Sequence, residues 1–577
     1  MFLFIPLLFI SFILCYGGES SAQNKYPQGI FRTPLDTGVE LVLAGNFGEI
    51  RNNHFHGGID IKTMGVEGKP VFAVDEGTVY RIKISANGYG KVIYLRHRNG
   101  FISAYAHLKN FEPRIDQYVR NAQYANESFE IELYPKPGQF RYSKGELIAF
   151  SGNTGGSTAP HLHFEIRNAN EEPLNPLLFG FNIGDSVKPV IDELLISPLD
   201  TMSHVNFSNK PLRIDVIRKG QSLKVRNPGE LIVHGKIGFA VETYDQLTAT
   251  SNKCGVYSVT LMIDSQVIYS HTMETFDFLK NRFINTHVDY YWWKKHKAEF
   301  QRCYLEPNNN LDIYDDVVNR GIADFTDDEN HFVRLVVKDV YGNTSQLSFP
   351  VKSVKDGTIK EKNGLAPDVR EFFSSDVPNT FRDQDIEIVL PAGVLYNDIA
   401  FEFSRGDTIK GALTPSFSIH NPYTPVHTYY TMSIRSGKIP DKIKNKSAVY
   451  RINGGGSLNF EGGIWRDNKI RVETRTFGTF TVYPDTTPPE IKPINISEGK
   501  KMSGDEKISV RITDNLSGIN TWRATIDGRW VLMEYDPKIA RLTHKFDERT
   551  KPGNHTFELT VEDNIGNTCT FKAGFTR

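Results

Sequence analysis

Histidine is sparse in this 577-residue chain, 16 in all, yet His54, His56, His107, His161 and His163 fall in one stretch near the N-terminus together with Asp60. Clustering of imidazoles with a carboxylate is what metal chemistry requires. Two histidines and one carboxylate make a three-ligand zinc site that leaves a coordination position open, the arrangement of a catalytic zinc as opposed to a closed structural one. The open position is where water and substrate would react.

These residues must be held by particular elements. In Asn53-His54-Phe55-His56-Gly57-Gly58-Ile59-Asp60-Ile61, the four-residue spacing could put His56 and Asp60 on one helical face. Two intervening glycines, each costing a helix about 1 kcal/mol relative to alanine, favour a loop running into a strand. Ile59 and Ile61 then point into a core and Asp60 points the other way, toward the site. In Ala159-Pro160-His161-Leu162-His163-Phe164-Glu165-Ile166, strand alternation projects His161 and His163 from one face and packs Leu162 and Phe164 on the other. One imidazole can bind a metal while its neighbour reaches the water beside it.

Around these motifs, short runs rich in β-branched and aromatic residues predict strands at Val39–Ala44, Val71–Val74, Gly77–Ile84, Lys91–Leu95, Ile102–Tyr105 and Leu147–Ser151, divided by glycine-bearing turns such as Asn87-Gly88-Tyr89-Gly90. Residues 112–142 interrupt this all-β segment with a charged stretch of no clear period, which reads as an inserted surface loop. Further on the chain repeats itself. Cys254-Gly255 through Asp264 matches Ser517-Gly518 through Asp527, and Val333–Thr344 matches Phe557–Thr568, each ending in an Asp-x-x-Gly-Asn turn. Strands so spaced predict small β-sandwiches of immunoglobulin-like type at 181–355 and 485–577, the first with an insertion at 265–330. Residues 366–484 read as a further β-rich sandwich without a copy of the repeat.

Composition bounds the rest. At about 150 residues per domain the length predicts roughly four domains. Lys and Arg number 67 against 68 Asp and Glu, so no global field would hold the chain to nucleic acid or an anionic membrane. Phe2–Tyr16 is the long apolar run, too short to span a bilayer of about 30 Å, and no transmembrane segment follows. It reads as a signal peptide over residues 1–22, cleaved before Gln23. Cys15 offers a lipoprotein alternative, against which stands the bulky Leu14 just before it. Three cysteines remain, of which Cys254 and Cys303 could bridge in an oxidising compartment. The run Tyr290-Tyr291-Trp292-Trp293-Lys294-Lys295 could contact glycan, with loop packing its ordinary role. Asp339 and Asp563 could suggest calcium, with capping of the Gly-Asn turn the ordinary role.

Five elements in order, Phe47-Gly48 to Arg51, His56-x-Gly-x-Asp60, Gly88-Tyr89-Gly90, Tyr105-Ala106-His107-Leu108 and Gly155 to His161-Leu162-His163, give residues 40–168 a clear resemblance to the lysostaphin-type, LytM-like zinc metallopeptidases that cut peptidoglycan cross-bridges. The resemblance implies an all-β catalytic domain over residues 23–180, of the duplicated-hybrid-motif, barrel-sandwich type. It implies one zinc per chain on His56, Asp60 and His163, with His107 and His161 as non-ligand catalytic histidines. It further implies cleavage of peptidoglycan peptide stems in the periplasm or envelope, by preference the D,D-bond to a diamino acid, with glycine cross-bridges as the alternative. His161 would serve as general base and His107 as stabiliser or orienter, a division open to exchange. Residues 112–142 depart from the family pattern. Two competing readings are an inactive domain that regulates another wall hydrolase, and an adhesion or scaffold protein whose sandwiches bind an envelope partner.

Overall fold

The computed structural model describes residues 25–36, 40–220, 222–226, 229–360, 368–437 and 439–577. The expected leader at 1–22 and Cys15 lie outside the described residues. No helix among the described residues is long and apolar enough to cross a membrane.

The fold is mostly β. In the N-terminal domain the strands order as Leu43–Gly45, Ile59–Lys62, His161–Arg167, Ile102–Ala106, Lys91–His97, Gly77–Ile84 and Ile131–Leu133, and a second sheet joins Pro70–Phe72, Leu147–Phe150 and Asn110–Phe111. One face of the large sheet closes the core: Ile59, Ile61, Leu162, Phe164 and Ile166 are all fully buried. Register then sets the other face, because antiparallel pairing places His163 opposite Asp60 on one side and opposite Ala106 on the other.

The stretch expected as a surface loop is instead a helix, Pro113–Asn126. Its start was signalled in the sequence: Glu112 accepts a hydrogen bond from the Arg114 amide at 2.9 Å and Pro113 occupies the first turn, where its missing N–H costs nothing. Ile115, Val119 and Gln123 recur every four residues and are buried. The many charges on the remaining faces hid that period. Those faces do not all meet solvent, because the last domain covers the helix: Tyr124 lies edge-on to Trp530 at 5.1 Å and Arg523 pairs with Glu127 at 2.6 Å.

Beyond the first domain come three β units, each with its own core: Leu194, Phe239, Leu335 and their neighbours, then Phe401, Tyr430 and Phe480, then Val510, Leu542 and Phe557. In the last two units a pair of sheets encloses the core. The repeated sequence gives repeated structure: the hairpins Asn330–Lys338/Thr344–Ser353 and Asn554–Asp563/Thr568–Thr576 correspond. Asp264 and Asp527 both adopt left-handed backbone and receive a histidine, His331 at 2.6 Å and His555 at 2.7 Å. Cys254 and Cys303 are buried free thiols with no bridge between them. The run at Tyr290–Lys295 forms a wide helical turn in which no residue of Trp292–His296 is buried; Lys294 reaches Asn52 at 2.6 Å and Tyr291 meets Tyr423 of the next unit.

Candidate metal centre and active site

His56 leaves the short strand His54–Phe55, passes Gly57 and Gly58, and enters the strand Ile59–Lys62 that carries Asp60. Gly58 is required there because a Cβ would stand 2.3 Å from the Phe164 carbonyl oxygen. The result is a tight group: His56 Nε2 and His163 Nδ1 are 3.0 Å apart, and Asp60 Oδ1 lies 3.1 Å from the first and 2.9 Å from the second.

The far nitrogen of each ring fixes its tautomer. His56 Nδ1 lies 2.6 Å from the Asn46 carbonyl oxygen, and His163 Nε2 lies 2.8 Å from Glu165 Oε1. Both partners only accept, so both of these nitrogens carry the proton. The inward nitrogens therefore present lone pairs to each other and to a carboxylate oxygen. Three electron pairs converging at about 3 Å in a buried pocket repel unless a cation lies among them, and a neutral-imidazole and carboxylate set suits zinc. The same demand for positive charge appears in His163: burial alone would lower its pKa, but Asp60 and Glu165 raise it to about 9. Burial likewise opposes ionisation of Asp60, yet positive charge among the surrounding histidines, His56 foremost, pulls its carboxyl well below the ordinary range. His56, Asp60 and His163 thus fit a metal.

Outer partners are built to match. Arg51 contacts Asp60 Oδ2 at 3.2 Å and Glu49 at 2.6 Å. Glu165, fully buried, accepts from His163, from Arg167 at 2.6 Å and from the Tyr89 hydroxyl. Burial would raise its pKa, but Arg167 and His163 bring it down to about 2. Glu165 belongs to none of the sequence motifs, although its signal is present: it is the next residue on the His161/His163 face of the same strand. Asn46 acts through its carbonyl, which no side-chain motif can announce.

The two remaining histidines border this group. His161 Nδ1 lies 2.8 Å from the Ala159 carbonyl oxygen, so its Nε2 carries the lone pair and stands 3.3 Å from Asp60 Oδ1. His107 Nδ1 lies 2.8 Å from the Thr154 carbonyl oxygen, leaving Nε2 free, and the two rings are 4.8 Å apart. Burial, then His163 and His161, push the His107 pKa down to about 3. His107 also holds a left-handed backbone at φ 57°, a sparsely populated state that persists only where its surroundings impose it. The loop that accepts its Nδ1–H, Gly152–Ser157, approaches Gly90 so closely that a Cβ on Gly155 would lie 2.3 Å from the Gly90 nitrogen. His54 and His97 stand apart from the group. His54 is exposed, with Nδ1 3.0 Å from the Asn52 carbonyl oxygen, and His97 is buried and satisfied by Glu76 and Ser103.

Residues 54–127 and 134–176 match Peptidase family M23. The N-terminal domain belongs to this family. Over 122 residues, 21% of the chain, it is 34% identical to an uncharacterized metalloprotease of Haemophilus influenzae and to the DD-carboxypeptidase/endopeptidase Mpg of Neisseria meningitidis, matching 20% and 22% of their lengths. It is 30% identical over 160 residues to the murein hydrolase activator NlpD of Salmonella dublin, 28% of this chain and 34% of that one. The chain thus spans about a fifth to a third of these curated relatives. The catalytic domain of lysostaphin from Staphylococcus simulans matches at 25% identity over 28% of this chain and 96% of its own, with a TM-score of 0.16. Residues 370–485 match a Zu5-like domain.

The M23 domain is flanked on two sides by the rest of the chain. Phe47 and Phe55 share an apolar cluster with Met273, Phe276 and Ile284 of the second unit. Phe278 lies beside Gly57, and Arg167 stacks over its ring at 4.8 Å. On the other side Lys91 pairs with Glu534 at 3.1 Å, and the Lys538 ammonium donates to the Asn153 carbonyl, next to the residue that fixes His107.

Proposed function

We propose that this protein is an exported zinc metalloendopeptidase that hydrolyses the peptide cross-links of peptidoglycan, by preference the D,D-bond. The observation that carries the reading is the convergence of two imidazole lone pairs and one carboxylate oxygen, with two further imidazoles bordering them. The relatives named for DD-endopeptidase activity support the choice of substrate.

His56 through Nε2, Asp60 through Oδ1 and His163 through Nδ1 would hold the ion. When bound, zinc supplies Lewis acidity, polarising a scissile carbonyl and making water acidic enough to act as a nucleophile near pH 7. The chain's own groups do the rest. His161 Nε2 takes the proton of the attacking water and returns it to the leaving amine; Asp60 Oδ1, 3.3 Å away, favours the imidazolium formed in between. His107, with Nδ1–H committed to Thr154, accepts at Nε2 and orients the water; as a neutral ring it has no proton there for an oxyanion. Asn46 and Glu165 keep the two ligand rings in the required tautomer.

The test incubates the mature chain with purified peptidoglycan, with and without chelator, and follows released muropeptides by mass spectrometry. Zinc-dependent peptide release is expected, abolished in His163→Ala. A second reading, activation of another wall hydrolase, follows from the likeness to the relative named as a murein hydrolase activator; absent or chelator-insensitive release from a zinc-loaded chain would favour it.

A further inference from the structure

Away from the M23 site, the two repeated units each gather three aspartates: Asp185, Asp245 and Asp339 in the first, Asp485, Asp514 and Asp563 in the second. In each group one oxygen per residue lies within 4.8 Å of the others. Two oxygens bound to one calcium at about 2.4 Å can be no further apart than that. The groups occupy matching places. The first member lies on the segment entering the unit, the second follows a long strand, and the third heads the Asp-x-x-Gly-Asn turn.

Turn capping accounts for only part of these carboxylates. Asp339 accepts from the amides of Tyr341 and Asn343 and from the Asn343 side chain at 2.7–2.9 Å, and Asp563 repeats the pattern with Ile565 and Asn567. Asp185 and Asp514 each spend one oxygen on backbone amides, leaving Asp185 Oδ2 and Asp514 Oδ1 without a partner. Asp245 is 2% exposed and its Oδ1 is likewise unpartnered. Burial first, and then Asp339 and Asp185, both of its own sign, push its pKa up to about 7. A buried, unpaired carboxylate oxygen among two other carboxylates is costly unless a cation is present.

We infer that the first repeated unit binds one calcium ion in its triad of Asp185, Asp245 and Asp339. Hard, all-oxygen donors select calcium or magnesium over zinc, and an irregular loop-borne set suits calcium, which tolerates variable geometry. The ion sits at a junction. Asp185 lies on the segment leaving the M23 domain, and Tyr341, in the same turn as Asp339, packs on the M23 core. Calcium would tie the entering segment to the unit that follows it.

The test is calorimetric titration of the whole mature chain, stripped of metal and reloaded with one equivalent of zinc, with calcium chloride. Uptake of calcium is expected, with one equivalent lost in Asp245→Asn. No uptake by the unaltered chain at millimolar calcium overturns the inference without any variant having to fold, and undiminished uptake by Asp245→Asn overturns it equally.

Discussion

The His56–Asp60–His163 group and the aspartate triads are both clusters of side chains of metal-binding type, largely buried, but they are built differently. In the first, each imidazole has a dedicated partner on its far side, Asn46 or Glu165, that decides where its proton is. In the second, Asp339 and Asp563 are held by backbone amides of the turns they head. One arrangement sets where the protons of its rings lie; the other fixes a turn. Side-chain partners tune reactivity, whereas backbone partners secure shape.

The sharpest way to break that contrast is to remove a ligand from the first group. His163→Ala or Asp60→Ala should lower peptidoglycan cleavage by at least about 1000-fold, since the effect removes Lewis-acid assistance outright, with circular dichroism unchanged. An intermediate effect is expected from the outer partner: Glu165→Gln should weaken zinc affinity about 10- to 100-fold, read by competition with a chromogenic chelator. In the first triad, calcium at about 100 times its dissociation constant should add about 2.7 kcal/mol of stability, seen as a raised unfolding midpoint and as protection of the segment around Asp185 from proteolysis. Zinc-dependent cleavage should change little over the same titration. Smallest is Lys538→Met, which removes an exposed contact to Asn153 and should alter cleavage by no more than a few-fold; such surface contacts are worth about 0–1 kcal/mol. A large effect there would mean that the last unit shapes the His107 loop directly.

Much of this was readable in the chain. Alternation at Ile59–Ile61 and His161–Ile166 gave the inward and outward faces, and the strand Gly77–Ile84 has the expected bounds. The helix Pro113–Asn126 was missed because its buried stripe is only one residue in four and its other faces are charged. Glu165 was passed over because acidic residues on strands are usually solvated. The triads were visible only in part: Asp339 and Asp563 stood out beside Gly-Asn, but their companions lie up to 154 positions away in the first unit and 78 in the second, a separation that only folding closes.

The contacts at Lys91–Glu534 and Tyr124–Trp530 join the first unit to the last, while Phe47 and Phe55 join it to the second, and Phe283 stacks on His427 of the third at 4.2 Å. The chain is therefore a closed circuit of units and not a string. Units on a string can open one at a time, each at its own temperature. In a circuit, opening any one of them forfeits contacts on two sides, so the four should melt with shared cooperativity, and removing the last should lower the midpoint of the first.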